Sequence, residues 1–167
     1  MEDTYRKTDL ALKLYESTQN IIRFADTKIN VLSVINGIAT SFVITNFQQI
    51  YEISILSKIL MLLFFITFII FVYFLLNTIL PRANKESESI GSKVIFFSHI
   101  SGKPDAKSFV NDFNSASSEG FLEDLLHQIY ESAKIATTKF NYYRKSLFTL
   151  QFQIFLFFII VGLKSFS

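Results

Sequence analysis

From Ile59 to Leu80 the chain reads ILMLLFFITFIIFVYFLLNTIL, 22 residues without a charge, interrupted only by Thr67, Asn77 and Thr78. At about 1.5 Å per residue a helix of this length covers roughly 33 Å, enough for a hydrocarbon core of about 30 Å. Inside a bilayer every backbone amide has to be satisfied within its own segment, so the run is expected to be helical. Pro81, which lacks a donor and disfavours helix in the residue before it, is expected to stop it.

Two further stretches read the same way, less strongly. Ile29 to Tyr51 carries no charge, and a span fits over residues 29–47. Ser33, Gly37 and Ser41 recur four apart on one face, with Asn30, Asn36 and Thr40 beside them. Small residues at that spacing let backbones approach, and amides and hydroxyls bond across the contact. This helix is therefore expected to face protein or water rather than lipid, as plain helix packing or as the lining of a pore. Leu147 to Leu163 gives a third span of 17 residues, at the short limit, led in by Arg144 and Lys145 with Tyr142 and Tyr143 at interface depth.

The remaining segments read as polar or amphipathic. Over residues 1–28, Leu10, Leu14, Ser17, Ile21 and Phe24 follow three- and four-residue steps, the pattern of a helix packing on a partner. Asn46 to Ser57 reads as a polar turn joining residues 29–47 to a second span over 58–80. In residues 81–146, Val94 to Ile100 suits either a strand or a buried helical end. A short helix is expected near Ala106 to Phe113, and Ser117 or Ser118 is placed to cap the next one. That last helix carries Leu122, Leu126, Ile129, Ala133, Ala136, Phe140, Tyr143 and Leu147 at seam spacing and is expected to run into the third span. The fold class is an all-α membrane protein: three transmembrane helices, with a cytoplasmic helical bundle formed by the N-terminal helix and the long segment before the last span.

Charge sets the orientation. Of 16 Lys and Arg, five precede the first span and nine lie between the second and third, leaving Lys58 and Lys164 for the opposite face. Basic residues accumulate on the cytoplasmic side, so the N-terminus and the long segment are expected there. The start is too mixed in charge for a secretory signal. A net charge of +2 gives no reason to expect a nucleic-acid partner. The absence of cysteine removes disulfides, thiolate metal sites and thiol nucleophiles.

No phosphate-cradling glycine loop, paired metal-binding histidines or nucleophile elbow is present, and His99 and His127 stand far apart. No catalytic residue, metal or cofactor is assigned, and the chain is not expected to be an enzyme. A basic and aromatic set points elsewhere. Arg23, Asp26 and Lys28 precede the first span; Lys139, Tyr143 and Arg144 precede the third; Phe96 and Phe97 lie in the segment between. Cations with aromatic faces suit an anionic nucleotide, charge for its phosphate and rings for its base. They also suit snorkelling and interface anchoring. With both helices expected at the cytoplasmic face, a ligand held between them would alter how the spans pack.

The pattern Phe24-Ala25-Asp26-Thr27-Lys28, followed eight residues later by Asn36-Gly37, resembles the start of the Pycsar transmembrane effector family. Phe96-Phe97-Ser98-His99-Ile100 resembles that family's aromatic motif after the second span. Leu122 to Ser146, with Asp124-Leu125, Gln128-Ile129-Tyr130, Lys139 and Tyr143-Arg144, is similar to its C-terminal helix. Ile29 stands where a small residue would be expected, and Phe140 where a polar or basic one would. The resemblance implies an antiphage effector that works with a pyrimidine nucleotide cyclase. It would respond to the messenger, cyclic UMP or cyclic CMP, and impair the inner membrane, as a homo-oligomer within the lipid bilayer. The alternative is a ligand-independent membrane scaffold or holin-like toxin, which has no need of a large ordered cytoplasmic part.

Overall fold

The computed structural model describes residues 2–80 and 100–166. The strand-or-helix alternative over Val94 to Ile100, Ile100 excepted, and the positions of Phe96, Phe97 and His99 fall outside them. Among the described residues the chain is all-α: α1 (Glu2–Thr45), α2 (Phe47–Ile53), α3 (Ile55–Ile79), α4 (Ala106–Ser115) and α5 (Ser118–Ser165). Three of these, α1, α3 and α5, are long and apolar enough to cross a membrane.

Local chemistry explains the breaks between helices. α1 ends beside Asn46, whose amide donates to the Phe42 carbonyl at 2.8 Å and competes with continuation of the ladder. The expected polar turn between the first two spans is instead largely helix, α2. It ends at Ser54, where the backbone is extended and a capping box with Ser57 starts α3. α4 begins at Asp105, whose carboxylate accepts from the Ser108 N–H at 2.7 Å. Ser117, one of the two caps expected from sequence, accepts from the Gly120 N–H at 3.0 Å and opens α5.

The chain forms two compact units, Met1–Arg23 with Arg82–Thr137 and Phe24–Pro81 with Thr138–Ser167. In the first, Ala11 of α1 packs with Leu125 and Ile129 of α5, flanked by Tyr15, Phe121 and Leu122. Gln19 donates to Ser132 at 3.1 Å. The apolar stripe expected to pack is thus not the one that does. Leu10, Leu14 and Ile21 are 56%, 53% and 46% exposed, whereas Ala11 and Thr18 are 4% and 8% exposed. Small side chains let the helices close on each other, and the bulkier leucines are left outside.

The second unit holds two apolar clusters. Ala39, Val43, Ile50, Leu60, Met61, Phe64, Leu156 and Ile160 form one, and Ile29, Leu32, Phe71 and Leu150 the other. Ile29, the larger residue where a small one was expected, is fully buried in the latter. On α5 the buried positions step by seven: Leu125 and Ser132 in the first unit, then Lys139, Ser146, Gln153 and Ile160 in the second. A seven-residue period is the signature of coiled-coil-like packing. Of the seam expected from sequence, Ile129 and Ala136 are buried, while Leu126 and Ala133 point outward. The expected seam followed the greasiest residues, and half of the real one is polar.

Candidate functional site

Five of the eight candidate ligand residues, Asp26, Lys28, Lys139, Tyr143 and Arg144, lie in the second unit. Asp26 of α1 and Lys139 of α5 form an ion pair, Nζ to Oδ1 2.5 Å, with the lysine side chain 8% exposed and the aspartate 43%. The ammonium is therefore enclosed while its counter-charge remains open to one side. An enclosed ammonium needs a compensating anion, since an isolated buried charge is strongly unfavourable. Among the remaining candidates, Lys28 lies over the Phe24 ring, 5.1 Å from its centroid. Tyr143 packs beside the Ile29–Phe71 cluster and meets Phe140 edge-on at 6.2 Å. Arg23 belongs to the first unit.

Arg144 lies on a separate cleft of about 890 Å³ with Phe74, Asn141, Lys145, Leu147, Phe148, Thr149 and Gln151. Lys145 rests over the rings of Phe74 and Tyr142, at 5.7 and 5.3 Å. Neither Arg144 nor Lys145 makes an ion pair among the described residues.

Deeper in the same unit is a polar cluster. Gln153 of α5 donates to Asn36 Oδ1 of α1 at 3.1 Å, and Thr40 donates to the same oxygen at 3.0 Å. Asn36 and Gln153 are 2% and 1% exposed, and Asn36 Nδ2 and Gln153 Oε1 have no partner among the described residues. Of the five residues singled out for packing or pore lining, Asn36 and Thr40 are buried here. Ser33 bonds its own helix, donating to the Ile29 carbonyl at 2.8 Å. Gly37 and Ser41 are exposed, and a Cβ at Gly37 would meet nothing within 4 Å. The four-residue stripe of small side chains therefore makes no close helix contact among the described residues. The amide of Gln153, which sequence reasoning passed over, decides the facing side; its place seven residues after Ser146, itself seven after Lys139, was the available signal.

The first unit has a cavity of about 630 Å³ lined by Tyr5, Phe113, Phe121, Thr4, Thr8 and Ser117 among others. Among the described residues its one charged lining residue is Glu119, so these offer rings and hydroxyls but no cation for a phosphate. No group of three acidic or histidine side chains placed to hold a metal occurs among the described residues.

A family model for the Pycsar effector protein domain matches residues 10–164, which include the Asp26–Lys139 pair, the Arg144 cleft and the Asn36–Gln153 contact. The chain belongs to the Pycsar effector family. As a Pycsar effector it is a membrane protein of antiphage cyclic-nucleotide signalling, and it acts downstream of a cyclase. No curated protein and no solved structure matches it.

Proposed function

We propose that this Pycsar effector senses a cyclic pyrimidine mononucleotide, cyclic UMP or cyclic CMP, made by its partner cyclase. It impairs the inner membrane in response, as a homo-oligomer with its N-terminus in the cytoplasm. The effector does no chemistry on the messenger. The observation that carries this reading is the half-open pair of Asp26 and Lys139. A cyclic phosphate diester has the single negative charge and oxygen acceptors of the Asp26 carboxylate, and it can approach from the aspartate's exposed side. Binding would transfer Lys139 from Asp26 to the phosphate, with Lys28 adding charge. Because Asp26 and Lys139 join α1 to α5, exchange of that partner would bias how the apolar helices pack.

Co-expression with a pyrimidine nucleotide cyclase should depolarise cells, as read by a potential-sensitive dye. Asp26→Asn and Lys28→Gln should blunt the response without lowering the amount of membrane-inserted protein. Depolarisation of equal size without the cyclase would instead mark a ligand-independent, holin-like toxin.

A further inference from the structure

We infer that the cleft between Phe74 of α3 and the Asn141–Gln151 face of α5 is a binding site for the phosphate ester of an anionic membrane phospholipid. Three observations carry it, and none depends on the messenger assignment.

The first is unsatisfied polar capacity on one face. Asn141, Arg144 and Gln151 follow one another at three- and seven-residue steps, so they share a side of α5. All three are exposed, and none makes a side-chain hydrogen bond or ion pair among the described residues. Arg144 offers a planar fork that matches two phosphate oxygens. Lys145 is not extended toward water as a snorkelling lysine would be. It is folded over Phe74 and Tyr142, which fixes a second cation at the cleft wall.

The second is the level of the cleft. Arg144 and Lys145 are the last charges on α5 before Lys164, and Phe74 lies one turn and a half before the end of α3, in a helix without a charge after Lys58. The cleft thus stands where these helices pass from the apolar core to the headgroups. Basic pockets between membrane helices at that depth hold lipid headgroups.

The third distinguishes a lipid from a soluble phosphate. Gln151 lies two turns beyond Arg144, about 10 Å into the charge-free stretch. Phe148 and Leu147 stand between them as apolar wall, and Phe148 is 75% exposed. An exposed amide at that depth needs a partner that lipid tails do not provide. A glycerophospholipid supplies the whole series: phosphate at Arg144 and Lys145, ester carbonyls on the acyl side within reach of Gln151, and chains against Phe148 and Leu147. A free phosphate has no use for the apolar wall, and a soluble nucleotide none for an amide about 10 Å into the charge-free stretch.

The test uses the full chain in nanodiscs of phosphatidylcholine with increasing phosphatidylglycerol, with thermal unfolding followed by circular dichroism. The wild-type melting temperature should rise by several degrees with the anionic fraction. Arg144→Gln/Lys145→Gln should lose most of that rise and Gln151→Leu part of it. Lys13→Gln, a surface cation of the first unit, should keep it. Should the double variant not fold, native mass spectrometry of Gln151→Leu against wild type gives the same answer: fewer retained anionic lipids are expected, and equal retention overturns the site. A rise that persists in the double variant, or no rise in wild type, also overturns it. Inorganic phosphate or cyclic UMP giving equal protection in pure phosphatidylcholine through Arg144 and Lys145 would reassign the cleft to a soluble phosphate and overturn the lipid assignment.

Discussion

The two units use the same pair of long helices, yet each brings them together with different chemistry. Among the described residues of Met1–Arg23 with Arg82–Thr137, the buried apolar cluster is Ala11, Leu125 and Ile129. Much of what lies inside is polar, including Thr18, Gln128 and Ser132, and Gln19 bonds Ser132. Phe24–Pro81 with Thr138–Ser167 holds two larger apolar clusters together with an ion pair and an Asn36–Gln153 amide contact. A polar seam in water competes with solvent for each hydrogen bond, so it specifies pairing at modest gain. In an apolar solvent the alternative to the same bond is an unsatisfied group, and apolar side chains gain little by leaving lipid. The apolar clusters of the second unit therefore contribute shape, and its few polar contacts carry a large share of helix recognition.

That contrast can be broken by substitution. The largest effect is expected at Asp26→Ala, which leaves Lys139 enclosed without a counter-charge. Removing one partner of a buried pair costs about 3–5 kcal/mol, and the partial exposure of Asp26 places this case at or below the low end of that range. Asp26→Ala/Lys139→Met should recover most of the loss, as measured by unfolding in nanodiscs.

Next comes Asn36→Leu, which strands the Gln153 amide and removes the acceptor of Thr40. Interhelical hydrogen bonds in membranes are worth about 0.6–2 kcal/mol, so a loss of that order is expected. Adding Gln153→Leu should recover most of the loss, because the Gln153 amide is then no longer stranded and only Thr40 lacks its former acceptor. A double-mutant cycle reads the coupling directly.

In the first unit the contrast is steric. Ala11→Leu should destabilise by about 1–3 kcal/mol through overpacking against Leu125 and Ile129. Leu14→Ala, on the stripe the sequence favoured, should change stability by less than about 0.5 kcal/mol. The reverse ranking would mean that Leu10, Leu14 and Ile21 form the true contact.

These positions also show what could be read from the chain unfolded on the page. The charge-free runs announced α3 and the apolar parts of α1 and α5, because length and hydropathy follow directly from the thickness of a bilayer. The start of α5 was legible too, through Ser117 as a cap. The packing seam was not. It runs through Ser132, Lys139, Ser146 and Gln153 on one helix and through Ala11, Thr18 and Ala25 on the other, all small or polar. A reading that ranks positions by hydrophobicity selects their leucine neighbours. Asp26 and Lys139 were legible as candidates but not as partners, since 113 positions separate them and only the seven-residue period of α5 places Lys139 inward.

The smallest expected effect concerns the start of α4. The Ser108 N–H bonding to Asp105 holds that carboxyl below the ordinary aspartate range. A depressed pKa in the folded state means that the cap contributes stability above the unfolded pKa and loses it as pH falls through the folded value. Faster amide exchange at Ser108 below pH 4, after correction for the intrinsic pH dependence, is the expected sign. Asp105→Asn should remove the pH dependence.

The messenger assignment meets its most direct test in a titration of the purified full chain in nanodiscs with cyclic UMP, cyclic CMP, cyclic AMP and cyclic GMP, followed by thermal unfolding. One pyrimidine nucleotide should raise the melting temperature saturably, by mass action on the folded state, and Asp26→Asn should shift the midpoint of that titration. Equal shifts from the purine nucleotides, or no shift from any of the four, would contradict it.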